Sequence, residues 1–364
     1  MTHKERFLRA ITLKKVDRLP HTEQMIHDLL VAKIVRQELP GDGGNALSRW
    51  MNEPMSAENF ERHVQARKFL GFDHVQLFPM ETSEQVGVSA HGNPLVRDIW
   101  GCVMEKTDKT SVIVKMPIES ADEIDAYRFP DVDDFGFGNI RLWLDEGSFF
   151  VAPQIETGYF KANQFFGIED YVTYLYDEPG KMHRFMRRFT DFQIRMAQKL
   201  IDMGVDGIWL SDDHAYNKGP FMSSAFMQEF DFDYMKQIVD YIHDRGKPVI
   251  LHSCGNLSLT IDQIVATGID ALHAIQPSLN DIYAFKRKYG KKICLIGNMD
   301  IQYLLPHGSP IEIAGKIDEM VEKLFYDQTG FVLSTCNLLD LDVPVENVIT
   351  MHLAAQKYVC QQAK

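Results

Sequence analysis

Short apolar runs recur along the chain, and most are followed by a longer stretch with helical periodicity. The runs are Leu19–Glu23, Asp73–Phe78, Phe150–Ile155, Gly207–Ser211, Pro248–Ser253, Ala271–Ala274, Lys292–Gly297 and Phe331–Thr335. Their length and near-continuous apolar character suit strands buried on both faces. The spacing between them predicts helices over Ala57–Leu70, Pro179–Met203, Ser223–Arg245, Leu257–Thr267, Leu279–Tyr289, Pro310–Tyr326 and Val345–Tyr358. Gly71, Gly204, Gly246, Gly268, Gly290 and Gly330 each stand between a helix and the next strand, where a left-handed cap favours glycine. Repeated helix–glycine–strand units imply a parallel sheet. Eight strands imply its closure into a (β/α)8 TIM barrel, an α/β fold, in preference to an open doubly wound sheet.

Residues 85–146 break the alternation. Leu95–Lys115 alternates as a hairpin does, and the acidic run Asp131–Gly138 reads as an exit loop. The expected organisation is one barrel over 1–364, with an insertion at about 85–146 between the second and third strands, leaning over the mouth.

Charge narrows the partners. With 38 Lys+Arg against 51 Asp+Glu, the net charge of −13 disfavours nucleic acid and anionic membrane surfaces. No apolar run approaches the ~20 residues of a membrane span, and Met1–Arg6 is too charged for a signal peptide. The five cysteines, Cys102, Cys254, Cys294, Cys336 and Cys360, are too few for a disulfide scaffold in 364 residues. A reducing cytoplasm is therefore expected, with any special cysteine acting as ligand or nucleophile.

Barrel chemistry sits at the C-terminal ends of strands. There the chain places His252 and Cys254 two residues apart on an extended segment, so both point to one side. An imidazole and a thiolate together suit zinc, and Cys336, ending the last strand, is the candidate third ligand. Three ligands leave a position open, as in catalytic zinc sites. Cys294 competes for that role but sits mid-strand between Ile293 and Leu295, where core packing is the simpler reading. Asp212 and Asp213 are adjacent, so one faces the cavity and the other a helix; Asp212 and Glu156 are the candidate proton-transfer groups, with Glu156 also a possible fourth ligand. Tyr159, Tyr216 and Met80, with Gln276 and His273, are the candidate substrate-binding residues of an aromatic- and methionine-rich mouth.

Several motifs resemble the uroporphyrinogen decarboxylase superfamily. They are Lys4–Ala10 with Asp17-Arg18-Leu19-Pro20, Leu251-His252-Ser253-Cys254-Gly255-Asn256, Gly268–Leu272, Gly297-Asn298-Met299-Asp300 and Val343–Val348, in the expected order over nearly the whole chain. The resemblance implies the (β/α)8 barrel. True decarboxylases of the superfamily follow the opening segment with an arginine-containing motif for substrate carboxylates; here His21–Asp28 has no arginine and carries acids. The likeness is therefore to the corrinoid-dependent methyltransferase branch, whose His-x-Cys…Cys zinc motif is matched by His252, Cys254 and Cys336. Thiol-methylating members place a carboxylate near the end of the sixth strand, where this chain has Gln276. The resemblance implies methyl transfer between a corrinoid protein and a small molecule, either methylating a thiol such as coenzyme M or demethylating a methoxyarene. The corrinoid (cobalamin) would come with the partner protein, zinc would be the resident cofactor, and a homodimer is compatible. Two other readings stay open: a metal-free decarboxylase, and a non-catalytic module docking a corrinoid protein.

Overall fold

A computed structural model describes residues 1–39, 51–107 and 111–360. Its strands are β1 (His74–Leu77), β2 (Ser83–Val88), β3 (Pro94–Asp98), β4 (Val103–Lys106), β5 (Ser111–Lys115), β6 (Phe150–Glu156), β7 (Ile208–Ser211), β8 (Val249–Ser253), β9 (Ala271–Ala274), β10 (Cys294–Met299) and β11 (Phe331–Thr335). A parallel sheet runs β1-β6-β7-β8-β9-β10-β11. β1 and β8–β11 are buried at every residue, as the uniformly apolar runs require when helices cover the outer face.

Leu19–Glu23, expected as the first strand, is reduced to a single parallel bridge between His21 and Leu333. It still joins the two edges of the sheet. Thr22 N donates to Leu333 O (3.0 Å) and Leu333 N to Pro20 O (2.9 Å), while Asp73 N, just before β1, donates to His21 O (3.1 Å). The barrel is thereby closed, but Pro20 has no N–H and cannot extend a ladder. Arg6 and Arg18 fasten the same corner, each reaching Asp73 Oδ1 at 2.8 and 2.7 Å.

Five of the six punctuating glycines, all but Gly290, have φ between 59° and 94°. Gly290 has φ −63° and is required for space instead: a Cβ there would lie 2.5 Å from Lys286 O. The helix expected over Ser223–Arg245 carries a π turn, Gln228–Phe232, between α-helical Ser224–Met227 and Asp233–His243. Two helices that the periodicity did not announce, Gly158–Phe166 and Ile168–Asp177, follow β6.

The expected hairpin belongs to a four-stranded antiparallel sheet, β2-β3-β4-β5, which begins at Ser83. Residues 108–110 of the Leu95–Lys115 run lie outside the described residues. Met80 and Gly136 pinch its base by exchanging both backbone hydrogen bonds (2.7 and 2.9 Å). Trp100, from the turn after β3, is driven into an aromatic cluster with Phe135, Phe165 and Phe192, ring centroids 5.1–6.0 Å away. That apolar anchor holds the inserted sheet against the barrel mouth. Among the described residues, no helix is long and apolar enough to cross a membrane.

Candidate functional site

β8 delivers His252 to the mouth, and Cys254 follows on the loop. His252 Nε2 lies 3.3 Å from Cys254 Sγ and 4.0 Å from Asp213 Oδ1. The donor atoms of Asp213, His252 and Cys254 all lie within 4.8 Å of one another. Zinc bonds of ~2.0–2.3 Å set tetrahedral ligand atoms roughly 3.3–3.8 Å apart; the His252–Cys254 separation falls in that range, Asp213 stands slightly wider, and the imidazole–thiol–carboxylate chemistry is of the right kind. Cys336 is buried beyond β11 with its N–H on Met299 O (3.1 Å). Its sulfur stands outside that group of three. The loop it begins nonetheless reaches the site: Asn337 Nδ2 is 3.7 Å from Cys254 Sγ.

The position of Cys254 is fixed by two loops pressed together. Asn256 N donates to Tyr216 O (3.0 Å), Cys254 N to Asp213 Oδ1 (3.0 Å) and Gly255 N to Gln276 Oε1 (2.7 Å). Burial raises both thiols, Cys336 to about 11 and Cys254 further, with the Asp213 charge adding to the rise at Cys254. Both stay protonated at neutral pH unless a cation stabilises the thiolate.

Behind His252 the hydrogen bonds settle which nitrogen faces the site. His273 Nε2 is 3.2 Å from Thr335 O, a pure acceptor, so Nε2 carries the proton. Burial holds His273 well below the usual imidazole range, with His252 adding to the depression, so the ring is neutral and its Nδ1 accepts. His252 Nδ1, 2.8 Å away, must therefore donate. Burial also lowers His252, against Asp213, so its Nε2 is left as a lone pair aimed at Cys254 and Asp213. His273, expected at the substrate, thus takes the place behind the imidazole that metal-site histidines typically need. Replacing it by leucine is expected to weaken the binding of added divalent metal at His252 and Cys254 ~10–100-fold with the fold retained, which competition with a chromophoric chelator measures.

The two adjacent aspartates divide as their alternation requires. Asp213 faces the His252–Cys254 pair. Asp212 is buried and caps the helix Gly158–Phe166, accepting from Thr157 Oγ1, Tyr159 N (3.0 Å) and Phe160 N (2.8 Å). Glu156, at the end of β6, pairs with Lys161 Nζ at 2.9 Å. Tyr159 is buried, its hydroxyl accepting from Phe221 N (3.1 Å), whereas Tyr216 is exposed and stacks on Phe221. Met80 sits at the neck of the insertion and Gln276 braces the Cys254 loop.

A cavity of about 290 Å³ lies over the donor group, lined by His252, Cys254, Asp213, Glu156, Lys161 and the apolar Met25, Phe78, Phe160 and Leu338, among others. It borders a second space of about 340 Å³ under the inserted sheet, sharing Met51, Glu156, Lys161 and Gln164. Lys161 went unremarked in the sequence because it sits on an apolar helix, and that placement was the available signal. Its ammonium lies 4.6 Å over the Trp100 ring. Burial opposes its charge, but Glu156, Glu81 and Asp98 outweigh that and raise its pKa. Glu81 accepts from Trp100 Nε1 (2.8 Å), and its carboxyl is raised by burial despite Lys161.

This geometry can be set beside known proteins. The family model described as "Uroporphyrinogen decarboxylase (URO-D)" matches residues 149–358, more than half of the 364. The chain belongs to that family. It is 29% identical to the uroporphyrinogen decarboxylase of Aliivibrio salmonicida over 177 residues, 48% of this chain and 47% of that protein, so the match spans about half of that relative. Over 380 aligned positions it is 22% identical to the methylcobamide:CoM methyltransferase MtbA of Methanosarcina mazei, covering 98% of both. A solved methyltransferase structure from Methanosarcina mazei superposes with a TM-score of 0.74 at 16% identity, over 98% of this chain and 99% of that one, which establishes the shared fold.

Proposed function

We propose that the protein is a zinc-dependent methyltransferase that moves a methyl group between a corrinoid protein and a small substrate held in the cavity above His252 and Cys254. The observation that carries this reading is the Asp213–His252–Cys254 donor group, its imidazole already in the metal-ready tautomer. His252, Cys254 and Cys336 would hold the ion, the last from the loop whose next residue reaches the Cys254 sulfur. Bound there, zinc would act as a Lewis acid on the substrate heteroatom, a thiol sulfur or an ether oxygen. Asp213 stands where its carboxylate can accept the proton of an incoming thiol or, after taking up a proton from solvent, donate that proton to a leaving phenolate. Met25, Phe78, Phe160 and Leu338 exclude water from the reacting face.

The cavity also supports this reading against decarboxylation of a polycarboxylate. Among the described residues no arginine lines it, and its ammonium, Lys161, is already paired with Glu156. A substrate rich in carboxylates would meet uncompensated acids.

The test is methyl exchange with free cobalamins, read by corrinoid absorption. Methylcobalamin is offered with a panel of thiols, and cobalt(I) cobalamin with a panel of methoxyarenes. One panel is expected to turn over, with His252→Ala losing one zinc per chain and at least ~10³-fold in rate. Unchanged zinc content in that variant, or no methyl transfer in either direction, would refute the assignment; the second result would leave the docking-module reading.

A further inference from the structure

A second group of metal-ligating side chains lies behind the first. Asp212 and His214 come from the segment after β7, and Asp231 from the π turn Gln228–Phe232. All three are buried, at 2%, 0% and 0% exposure, and their donor atoms lie within 4.8 Å of one another.

Their distances suit a shared ion. His214 Nε2 is 3.0 Å from Asp231 Oδ2 and 4.0 Å from Asp212 Oδ2. At 3.0 Å an aligned imidazole would form a charge-assisted hydrogen bond. Yet Nε2 and both Asp231 oxygens have no hydrogen-bond partner among the described residues. Nε2 and Asp231 Oδ2 form a close ion pair, and Asp231 Oδ1 is buried with no partner of its own among the described residues. In an octahedral site with bonds of ~2.1 Å, neighbouring ligands lie about 3 Å apart and opposite ones about 4 Å, close to the two separations seen; Asp212 would face the ion while keeping the bonds it accepts from Thr157 Oγ1, Tyr159 N and Phe160 N. Ser253 Oγ, 3.2 Å from His214 Nδ1, steadies the ring with Nε2 turned inward.

Two carboxylates and a neutral imidazole together match the charge of one divalent cation. The π turn is what presents Asp231: Phe230, Asp231 and Phe232 are all buried, three consecutive inward positions that one face of a regular α-helix does not supply. The Tyr171 hydroxyl, fully buried and likewise without a hydrogen-bond partner, lies within the field of Asp231 and Asp212.

We propose that Asp212, His214 and Asp231 bind a first-row divalent cation, zinc or manganese, at a buried structural site separate from the His252–Cys254–Asp213 group. The nitrogen and oxygen donors select this class over soft, thiolate-seeking ions. The ion would tie the π turn to the segment after β7, directly behind Asp213.

The full chain is purified from culture supplemented with zinc or manganese, crystallised, and examined by anomalous diffraction at the corresponding metal edge. A peak within ~2.3 Å of His214 Nε2 and an Asp231 oxygen is expected. Elemental analysis should show Asp231→Asn losing one equivalent while retaining the one that His252→Ala loses. If Asp231→Asn fails to fold, the paired variant His214→Leu with Asp231→Leu, which removes both charges together, serves as comparator and must also lose one equivalent. No anomalous peak among these three side chains in the wild-type crystal overturns the proposal, whatever is found at His252. So does metal content unchanged in a folded variant.

Discussion

Gly255→Ala is expected to destabilise the protein by about 4 kcal/mol and to abolish metal binding at His252 and Cys254. Gly255 has φ +87°, so an alanine there pays ~1–2 kcal/mol for the left-handed conformation alone. The larger effect is steric. A Cβ would lie 2.0 Å from Ala215 O and 2.3 Å from Ala215 C, and the carbonyl is backbone that cannot swing aside. Relief requires the loop after β8 to part from the loop after β7. That separation breaks the bond from Asn256 N to Tyr216 O and moves Cys254 away from Asp213, whose Oδ1 accepts from Cys254 N at 3.0 Å. Gly92 is the control. Its φ is +83°, but nothing lies within 4 Å of an added Cβ, so Gly92→Ala is expected to cost only the conformational ~1–2 kcal/mol and leave zinc content intact. Denaturant unfolding and metal analysis of the two alanine variants separate the contributions; equal destabilisation by both would show that the loop contact does not matter.

The same contact explains what sequence reading could and could not reach. The strands of the barrel are legible because each is a short apolar run that must be buried on both faces, and β8–β11 lie within a residue or two of the runs that announced them. Leu19–Glu23 has the same character, but its ladder depends on a backbone N–H that Pro20 lacks, and the segment serves as a two-sided clasp. His252 and Cys254 are legible as a pair because spacing along an extended segment fixes their side. The placement of Cys336 depends on a loop crossing the mouth, and no local pattern encodes that. For Asp212 and Asp213, alternation says that the two diverge, but not which faces inward. The phase is set by the helix after β6, whose N-terminus needs a carboxylate, and that helix was itself hidden by aromatic residues on several faces. Lys161 was invisible for a related reason: its charge is balanced by Glu81, Asp98 and Glu156, two of them far away in sequence.

Those partners also bear on what the cavity admits. Lys161, over Trp100 and against Glu156, is a cation already supplied with an aromatic face and a carboxylate. The wall around it therefore carries more carboxylates than cations, with Glu81, Asp98 and Glu156 gathered on one ammonium. A compact substrate with an apolar body and one hydrogen-bonding end matches it better than a highly charged one.

The adjacent aspartates should separate cleanly in experiment. Asp212→Ala is expected to cost about 3–5 kcal/mol, because its carboxylate satisfies three buried donors at once: Thr157 Oγ1, Tyr159 N and Phe160 N. Removing it leaves all three without an acceptor at the start of a buried helix, each at ~1–3 kcal/mol before relaxation. Asp213→Asn is expected to change stability by less than ~1 kcal/mol, since the half-exposed side chain keeps an oxygen to accept from Cys254 N. It loses the anionic oxygen that faces the metal donors and the proton acceptor for an incoming thiol. Methyl transfer should therefore fall ~10²–10³-fold in this variant, with unfolding midpoints near wild type. Parallel denaturation and single-turnover assays give the comparison. If Asp212→Ala proves nearly as stable as wild type yet inactive, while Asp213→Asn turns over normally, then Asp212 is the carboxylate that meets substrate and the helix-cap assignment fails. The division of labour rests on where three N–H and O–H donors point, and they point at Asp212.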